Sequence, residues 1–227
     1  MTLEDLVRLF RLESDDKVRD VDGQSDDLFW SDETVADWLS EAEQEAAIRK
    51  RLLFEDARAE MCLISVTSGT SSYALHPAWF EITGAFLART GSTDYCRLHA
   101  TDRDELDGLC PNWRFERYEP GGFIQDDTRI VLPGMVQLGY TLRLEGYRVP
   151  LEPLKNDGDE PEIAQVHHRM LVQWALHRAY GVQDADSFDP QRSEKALAKF
   201  VQYFGLRPDA DLRKDARANH PHHNVAW

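Results

Sequence analysis

The sequence predicts an α+β fold in which helices precede and follow a β-rich middle region along the chain. Apolar residues recur at helical spacing up to about residue 57 and again after Pro150. Between residues 61 and 150, short segments alternate in polarity and are separated by Gly, Pro, Asn and Asp. These segments leave no room for crossover helices, which favours antiparallel pairing. We therefore expect a helical bundle with a β-rich antiparallel insertion and an extended C-terminal tail.

Two helices are expected before the insertion. The first covers about residues 2–12, where Thr2 can cap the N-terminus and Asp5 can complete a capping box. Residues 13–27 carry seven acidic residues and few apolar ones, which is typical of an exposed loop. A second helix over about residues 31–57 is predicted from a cap at Ser31 or Asp32, an acidic first turn and basic residues toward its far end.

The insertion, about residues 61–150, is expected to contain several short strands. Alternation is clearest over residues 140–148, where Tyr140, Leu142 and Leu144 share one face. The other strands are predicted near residues 61–67, 72–76, 79–89, 93–99, 113–118 and 128–132.

Two helices follow the insertion. The first is expected over about residues 160–180, with Asp159 and Glu162 forming its capping box. The second is expected over residues 190–204, because Asp189 can cap it, Pro190 fits its first turn and Gly205 can end it. Residues 1–206 are thus predicted to be a single domain. Residues 207–227 are predicted to be an extended tail, because they contain two prolines and few apolar side chains.

Composition and charge exclude several classes of protein. The chain has 227 residues, with 26 Lys and Arg against 41 Asp and Glu, for a formal net charge of −15. This acidity argues against a protein that binds DNA by neutralising its phosphates. No apolar run reaches the roughly 18 residues of a membrane-spanning helix, and the first residues lack the layout of a secretory signal. Three cysteines without a CxxC motif indicate reduced thiols in a cytosol.

The charge is concentrated at the amino end. Residues 1–60 hold 18 acidic and 8 basic residues, whereas residues 207–227 hold 3 acidic and 4 basic ones together with three histidines. This asymmetry indicates different surroundings for the two ends. A solvated acidic face and a frayed terminus would give the same pattern.

No residue pattern points to catalysis, to a cofactor or to a metal. The motifs GK[ST], GxGxxG, HExxH and GxSxG are absent from the sequence. A run beginning at Asp102 resembles a calcium loop, but Leu106 and Trp113 stand where that loop needs oxygen ligands. His167 and His168 are adjacent on a predicted helix and point about 100° apart, so they are not expected to share a metal ion, and a packing or interface role is expected for each. We therefore predict no enzyme activity and no cofactor.

An ordered series of short motifs runs from residue 28 to residue 206. The series comprises Trp30-Ser31-Asp32-Glu33, Leu39, Glu41-Ala42-Glu43, Glu45-Ala46, Arg49, Leu52-Leu53, Tyr73, Leu75, Pro77, Trp113, Ile130 to Pro133, Tyr147-Arg148-Val149-Pro150-Leu151, Asp159-Glu160-Pro161-Glu162-Ile163, His168, Leu171, Trp174-Ala175, Arg178-Ala179-Tyr180, Asp184, Asp186, Lys195-Ala196 and Phe204-Gly205. In this order the motifs resemble the head-to-tail adaptor (head-completion, connector) proteins of tailed bacteriophages.

The resemblance implies a structural protein of the virion neck, assembled in the host cytoplasm. It implies a ring, usually of twelve subunits, that joins the portal to the tail or to a second neck or nozzle protein. The ring would line a channel through which genomic DNA passes without specific binding, and no membrane is involved. The acidity of the chain suits such a channel, because it repels phosphates.

The tail is the predicted portal-binding segment of such a protein, because its basic side chains can meet acids and a tryptophan can fill a pocket on a partner. The candidate residues are Arg207, Arg213, Lys214, Arg217, His220, His222, His223 and Trp227. Two other functions stay open from sequence alone. One is an enzyme or ligand-binding protein without a recognisable motif, and the other is a regulatory interaction module.

Overall fold

The computed structural model describes residues 1–16, 20–21, 24–25, 28–116, 119–136, 139–183 and 188–208. This part of the chain contains both helices and sheet, which confirms the α+β class. It divides into two compact units, one made of Met1–Leu53 with Val149–Arg207 and the other centred on Phe54–Arg148. We call them the helical unit and the β unit.

The helices fall mostly in the helical unit. In chain order they are α1 Leu3–Ser14, α2 Asp32–Lys50, α3 Ala59–Cys62, α4 Arg103–Leu109, α5 Gln165–Gly181 and α6 Pro190–Phe204. No helix in the described part of the chain is both long and apolar enough to cross a membrane.

The strands are short apart from two long ones. They are β1 Asp20–Val21, β2 Gln24–Ser25, β3 Phe54–Glu55, β4 Leu63–Val66, β5 Ser72–Ala74, β6 Trp79–Arg89, β7 Cys96–Ala100, β8 Gly122–Gln125, β9 Arg129–Val131 and β10 Tyr140–Arg148.

Both local capping predictions for α1 and α6 are confirmed. The Thr2 side chain accepts a hydrogen bond from the Asp5 N–H while the Asp5 carboxylate accepts one from the Thr2 N–H, which completes the capping box. Asp189 accepts from the N–H groups of Gln191 and Arg192 at the start of α6. At the far end of α6, Gly205 adopts φ = 91°, a conformation that favours glycine.

The helix α2 begins as predicted at a Ser31 cap but ends at Lys50, well before the expected end at residue 57. Arg51 takes a left-handed conformation with φ = 52°, which turns the chain out of the helix. Phe54 and Glu55 then pair with Tyr147 and Gly146 as a strand. The prediction of a helix to residue 57 is therefore wrong.

The helix α5 begins at Gln165, so the predicted start near residue 160 and the Asp159 capping box are wrong. The Asp159 carboxylate instead accepts hydrogen bonds from the N–H groups of Lys155 and Asn156, at 2.9 and 2.8 Å, and holds the preceding loop. The helical spacing of Val166 and Met170 predicts that Val166 faces the core, but 72% of its surface is exposed.

The core of the helical unit surrounds α5, which packs against α1, α2 and α6. Leu6, Phe10, Val35 and Phe200 are fully buried in this core. The segment 13–27, predicted to be an exposed loop, contains β1 paired antiparallel with β2, and its Asp16 is buried.

The β unit contains one eight-stranded sheet within the described residues. Its order is β3-β10-β6-β7-β8-β9-β5, and β4 also pairs with β10. All pairs are antiparallel except β7 with β8, which is parallel, so the expectation of a purely antiparallel sheet is wrong. The alternation predicted for residues 140–148 is confirmed, because Tyr140, Leu142 and Leu144 are buried on one face of β10.

Several elements between β7 and β9 differ from the prediction. Residues 111–115 form turns where a strand was expected near 113–118. The helix α4 and the strand β8 were not predicted. The acidic run that resembled a calcium loop lies in α4, where the Asp102 side chain caps the helix by accepting from the Glu105 N–H at 2.7 Å.

The long pair β6–β10 contains an irregularity where two backbones come into close contact. The register shifts between Glu145 and Gly146. A Cβ atom at Gly146 would lie 2.1 Å from the carbonyl oxygen of Glu81, so only glycine fits without moving the strands apart.

A buried ion pair joins β3, the first strand of the β unit, to β10, its last strand. The Arg148 guanidinium donates to the Glu55 carboxylate at 3.0 Å, and the two side chains are 8% and 6% exposed. Glu55 also accepts from the N–H groups of Ala57 and Arg58. Burial by itself raises the pKa of Glu55, but these backbone hydrogen bonds and Arg148 outweigh it, so the pKa lies below its ordinary value of 4.5.

The lowered pKa of Glu55 predicts a loss of stability in acid. A carboxylate whose pKa is lower in the folded state stabilises the fold fully above its unfolded pKa, and this stabilisation disappears as the pH falls through the folded pKa. Urea unfolding between about pH 6 and about pH 3 should therefore show a smaller loss of unfolding free energy for Glu55→Gln than for the wild type. Glu60→Gln, at an exposed position, is the control, and its free energy of unfolding should depend on pH as that of the wild type does. If the free energy of unfolding falls equally with pH in Glu55→Gln and in the wild type, the lowered pKa of Glu55 is contradicted.

Candidate functional site: the tail base and an acidic groove

Of the predicted portal-binding residues, the structure describes one, Arg207. Its guanidinium lies 3.3 Å from the Glu45 carboxylate of α2, and its side chain is largely exposed. The remaining candidates lie outside the described residues: Arg213, Lys214, Arg217, His220, His222, His223 and Trp227.

The chain leaves α6 at a set of contacts with the C-terminal end of α2. The carbonyl groups at the end of a helix lack partners within the helix. Here Arg49 donates to the Gly205 carbonyl at 3.1 Å and Lys50 donates to the Tyr203 carbonyl at 3.2 Å. We call the set Glu45, Arg49, Lys50, Tyr203, Gly205 and Arg207 the tail base.

Arg49 is the central residue of the tail base. Its side chain is 9% exposed and donates to Glu45 at 3.0 Å. Its guanidinium also lies over the rings of Trp174 and Phe200, at 5.5 and 5.6 Å from their centroids. A largely buried guanidinium held by a carboxylate and two aromatic faces has a fixed position. The first residues after α6 are therefore held against α2.

The contacts of Arg49 in the tail base predict that its removal loosens the C-terminal end of α6. In Arg49→Ala, the Gly205 carbonyl at the end of α6 loses its donor, and Phe200 of α6 and Trp174 of α5 each lose a cation–π contact. Amide hydrogen exchange in that turn should accelerate about tenfold, which corresponds to about 1.4 kcal/mol of local stability. Lys199→Ala, at an exposed position of the same helix, should leave the exchange rates unchanged. Equal rates in both variants would show that Arg49 does not hold the end of α6.

The second feature is a groove of about 870 Å³ between α1, the first turns of α2 and the loop near residue 155. We call it the acidic groove. Its apolar lining is Leu3, Val7, Leu28, Ala36 and Leu154, and its charged lining is Glu4, Arg8, Arg11, Asp16, Asp32, Glu33, Asp37, Lys155 and Asp157. Sequence reasoning missed this groove, because its walls come from three separate segments. The concentration of acids over residues 1–60 was the one available signal.

Arg11 builds one wall of the acidic groove. Its side chain is 12% exposed and is paired with the buried Asp16 and with Asp32. The same guanidinium donates to the Trp30 carbonyl at 2.6 Å. Asp16 in turn accepts from the Phe29 N–H at 3.1 Å. Arg11 thus ties the end of α1 to the segment that leads into α2.

The remaining acids of the groove are available to a partner. Glu4, Glu33, Asp37 and Asp157 form no ion pair with any residue in the described ranges. Glu33, Asp37 and Asp157 are exposed, and Glu33 lies in the first turn of α2. An apolar floor with an acidic rim favours a ligand that carries both basic and apolar side chains.

The Arg11 contacts predict a large loss of stability on truncation. Arg11→Ala leaves Asp16 buried without its counter-charge, so the free energy of unfolding should fall by about 3 kcal/mol in a urea titration. Arg8 lies on the same helix and pairs with Asp5, but its side chain is 81% exposed. Arg8→Ala should therefore cost less than about 1 kcal/mol. Similar losses in the two variants would contradict the role of Arg11.

Two histidines of α5, His167 and His168, occupy packing positions. His168 is 2% exposed and its Nε2 lies 2.8 Å from the Ile163 carbonyl oxygen. His167 Nδ1 lies 3.1 Å from the Tyr203 hydroxyl. Burial lowers the pKa of His167. Among the residues that the structure describes, no group of three or more His, Cys, Asp or Glu side chains is arranged to hold a metal ion.

Comparison with known families supports one of the functions that the sequence left open. The sequence model of the family described as SU10 adaptor protein matches residues 1–223. The chain belongs to this family. The predicted resemblance to phage head-to-tail adaptors is confirmed, and the match extends across α1 as well as the motifs between residues 28 and 206. No curated protein matches the chain.

As a phage adaptor, the chain has a structural role in the neck of the virion. The structure shows that its acids do not all serve the same purpose. Glu43 and Glu55 are buried like Asp16, at 1% and 5% exposure, and are used inside the protein. Exposed acids such as Glu33 and Asp37 at the start of α2 are accessible to a neighbouring molecule.

Proposed function

We propose that this adaptor forms a ring beneath the portal, joins the portal to the tail or to a second neck or nozzle protein, and lines the channel for genomic DNA. The match of residues 1–223 to a phage adaptor family carries this proposal. A ring of twelve subunits, assembled in the host cytoplasm, is the arrangement that we infer. Residues 1–206 would act as the adaptor domain of each subunit.

The tail base supports a role for residues 207–227 in gripping the portal. Arg49 and Lys50 hold the end of α6, so the tail starts from a fixed point. From there, a fully extended tail over 207–227 can reach roughly 70 Å. Arg207, Arg213, Lys214 and Arg217 can meet acids on the portal, and Trp227 can fill a pocket there. His220, His222 and His223 lie within the same segment.

The charge of the adaptor supports its position along the DNA. Of the net charge of −15, residues 1–60 contribute the largest share. Negative charge facing the channel repels phosphates, so the duplex passes without adhering. Because Asp16, Glu43 and Glu55 are buried, this task falls to the exposed acids of that region.

Electron microscopy of the adaptor mixed with its cognate portal tests the proposed assembly. We expect a ring of adaptor subunits on the portal with the wild-type chain. Deletion of residues 207–227 should leave the fold intact by circular dichroism and strongly weaken portal attachment. Trp227→Ala alone should weaken attachment measurably. Full attachment of the truncated chain would contradict the portal contact of the tail, and absence of any ring would contradict the assembly.

The channel function predicts that reversing acids makes DNA adhere. Replacing the exposed Asp56 and Glu60 by Lys should slow DNA exit from assembled particles, and the effect should weaken above about 0.1 M salt, where the Debye length is about 10 Å. The matched variant Asp56→Asn with Glu60→Gln removes the charge without reversing it and should give a smaller effect. Unchanged DNA exit in the Lys variant at low salt would contradict the assignment of these acids to the channel.

A further inference from the structure

We propose that the acidic groove is the docking site of the adaptor's own basic C-terminal segment, residues 212–227. This goes beyond the adaptor role, because it assigns an occupant to a surface within the subunit itself. It concerns the free protein and does not depend on the proposed portal contact.

The chemistry of the groove defines what fits it. Its floor is apolar, made by Leu3, Val7, Leu28, Ala36 and Leu154. Its rim carries Glu4, Glu33, Asp37 and Asp157, none of which forms an ion pair with a described residue. Two of the three basic side chains that line the groove are already paired, Arg11 with Asp16 and Asp32 and Arg8 with Asp5. The rim therefore has excess negative charge next to apolar surface.

Residues 212–227 have the complementary composition. They contain Arg213, Lys214 and Arg217 against the single acid Asp215, together with three histidines. Leu212, Val225 and Trp227 supply apolar side chains. The rest of the chain has more acidic than basic residues, whereas this segment has more basic than acidic ones. Charge complementarity of this kind selects the partner and its orientation.

The starting point and length of the tail make the groove reachable within one subunit. The tail leaves α6 beside Lys50 at the C-terminal end of α2, whereas the groove lies beside Ala36 and Asp37 on the same helix. The helical span from 36 to 50 covers about 21 Å at roughly 1.5 Å per residue. About seven extended residues cover that distance. Residues from about 214 onward can therefore lie in the groove of their own chain.

Zero-length carbodiimide cross-linking of the full-length protein tests the proposal. This reagent joins an amine to a carboxylate with which it is already paired, and Lys214 is the one lysine of residues 207–227. Peptide mass spectrometry should find Lys214 linked to Glu4, Glu33, Asp37 or Asp157. At about 1 M salt, where the Debye length is about 3 Å, the yield should fall sharply.

A matched pair of variants tests whether the groove acids are responsible. Glu33→Lys with Asp37→Lys should lower the yield of Lys214 links to Glu4 and Asp157 about tenfold. Glu152→Lys with Glu194→Lys makes the same change of charge at exposed positions outside the groove and should leave that yield unchanged. A mixture of isotope-labelled and unlabelled copies should show that the links form within one chain.

Three outcomes would overturn the proposal. Links from Lys214 to acids outside the groove would show that the segment lies elsewhere. Links to the groove acids from Lys17 in place of Lys214 would show that another segment fills the groove. Links found only between labelled and unlabelled copies would show that the segment of a second subunit is the occupant.

Discussion

The burial of α5 is the constraint on which the helical unit depends. Its residues from Leu171 to Leu176 are all buried, and so are Ala179 and Tyr180. A helix that is enclosed on most sides needs an apolar face from each neighbour. α1 supplies Leu6 and Phe10, and α6 supplies Phe200 and Phe204. The apolar sides of α1 and α6 face α5, so most of their charged side chains lie on the surface, where other molecules can reach them.

Enclosing α5 also buries backbone N–H and C=O groups of the segment that leads into it. Side chains of α2 form hydrogen bonds with several of these groups. The buried Glu43 accepts from the Ile163 N–H at 3.3 Å, just before α5 begins. The Ser40 hydroxyl accepts from the Leu154 N–H at 3.0 Å and contacts its carbonyl oxygen at 3.3 Å. A buried polar group without a partner would cost free energy, so these side chains fix the path of the loop into α5. Part of the acidity of the adaptor is thus used for folding, and only the remainder is accessible to a neighbouring molecule.

The two candidate surfaces lie at opposite ends of α2. Its first turns form a wall of the acidic groove, and its last turn holds the tail base. A continuous helix of 19 residues fixes the spacing between them. An adaptor must keep its contacts in place while it joins two larger assemblies. A rigid helix that carries one surface at each end provides that spacing.

The sequence by itself determined the elements whose signals are local. The capping box at Thr2, the Asp189 cap and the alternation along β10 depend on residues within about four positions of one another, so they could be read without a structure. The motif order gave the adaptor family. The tertiary structure decided the rest. Asp159 holds a loop and does not cap α5, Arg51 ends α2 early, and Arg11 joins Asp16 and Asp32 from separate elements. The groove and the tail base depend on contacts between residues that are distant in sequence, and only the folded chain brings those side chains together.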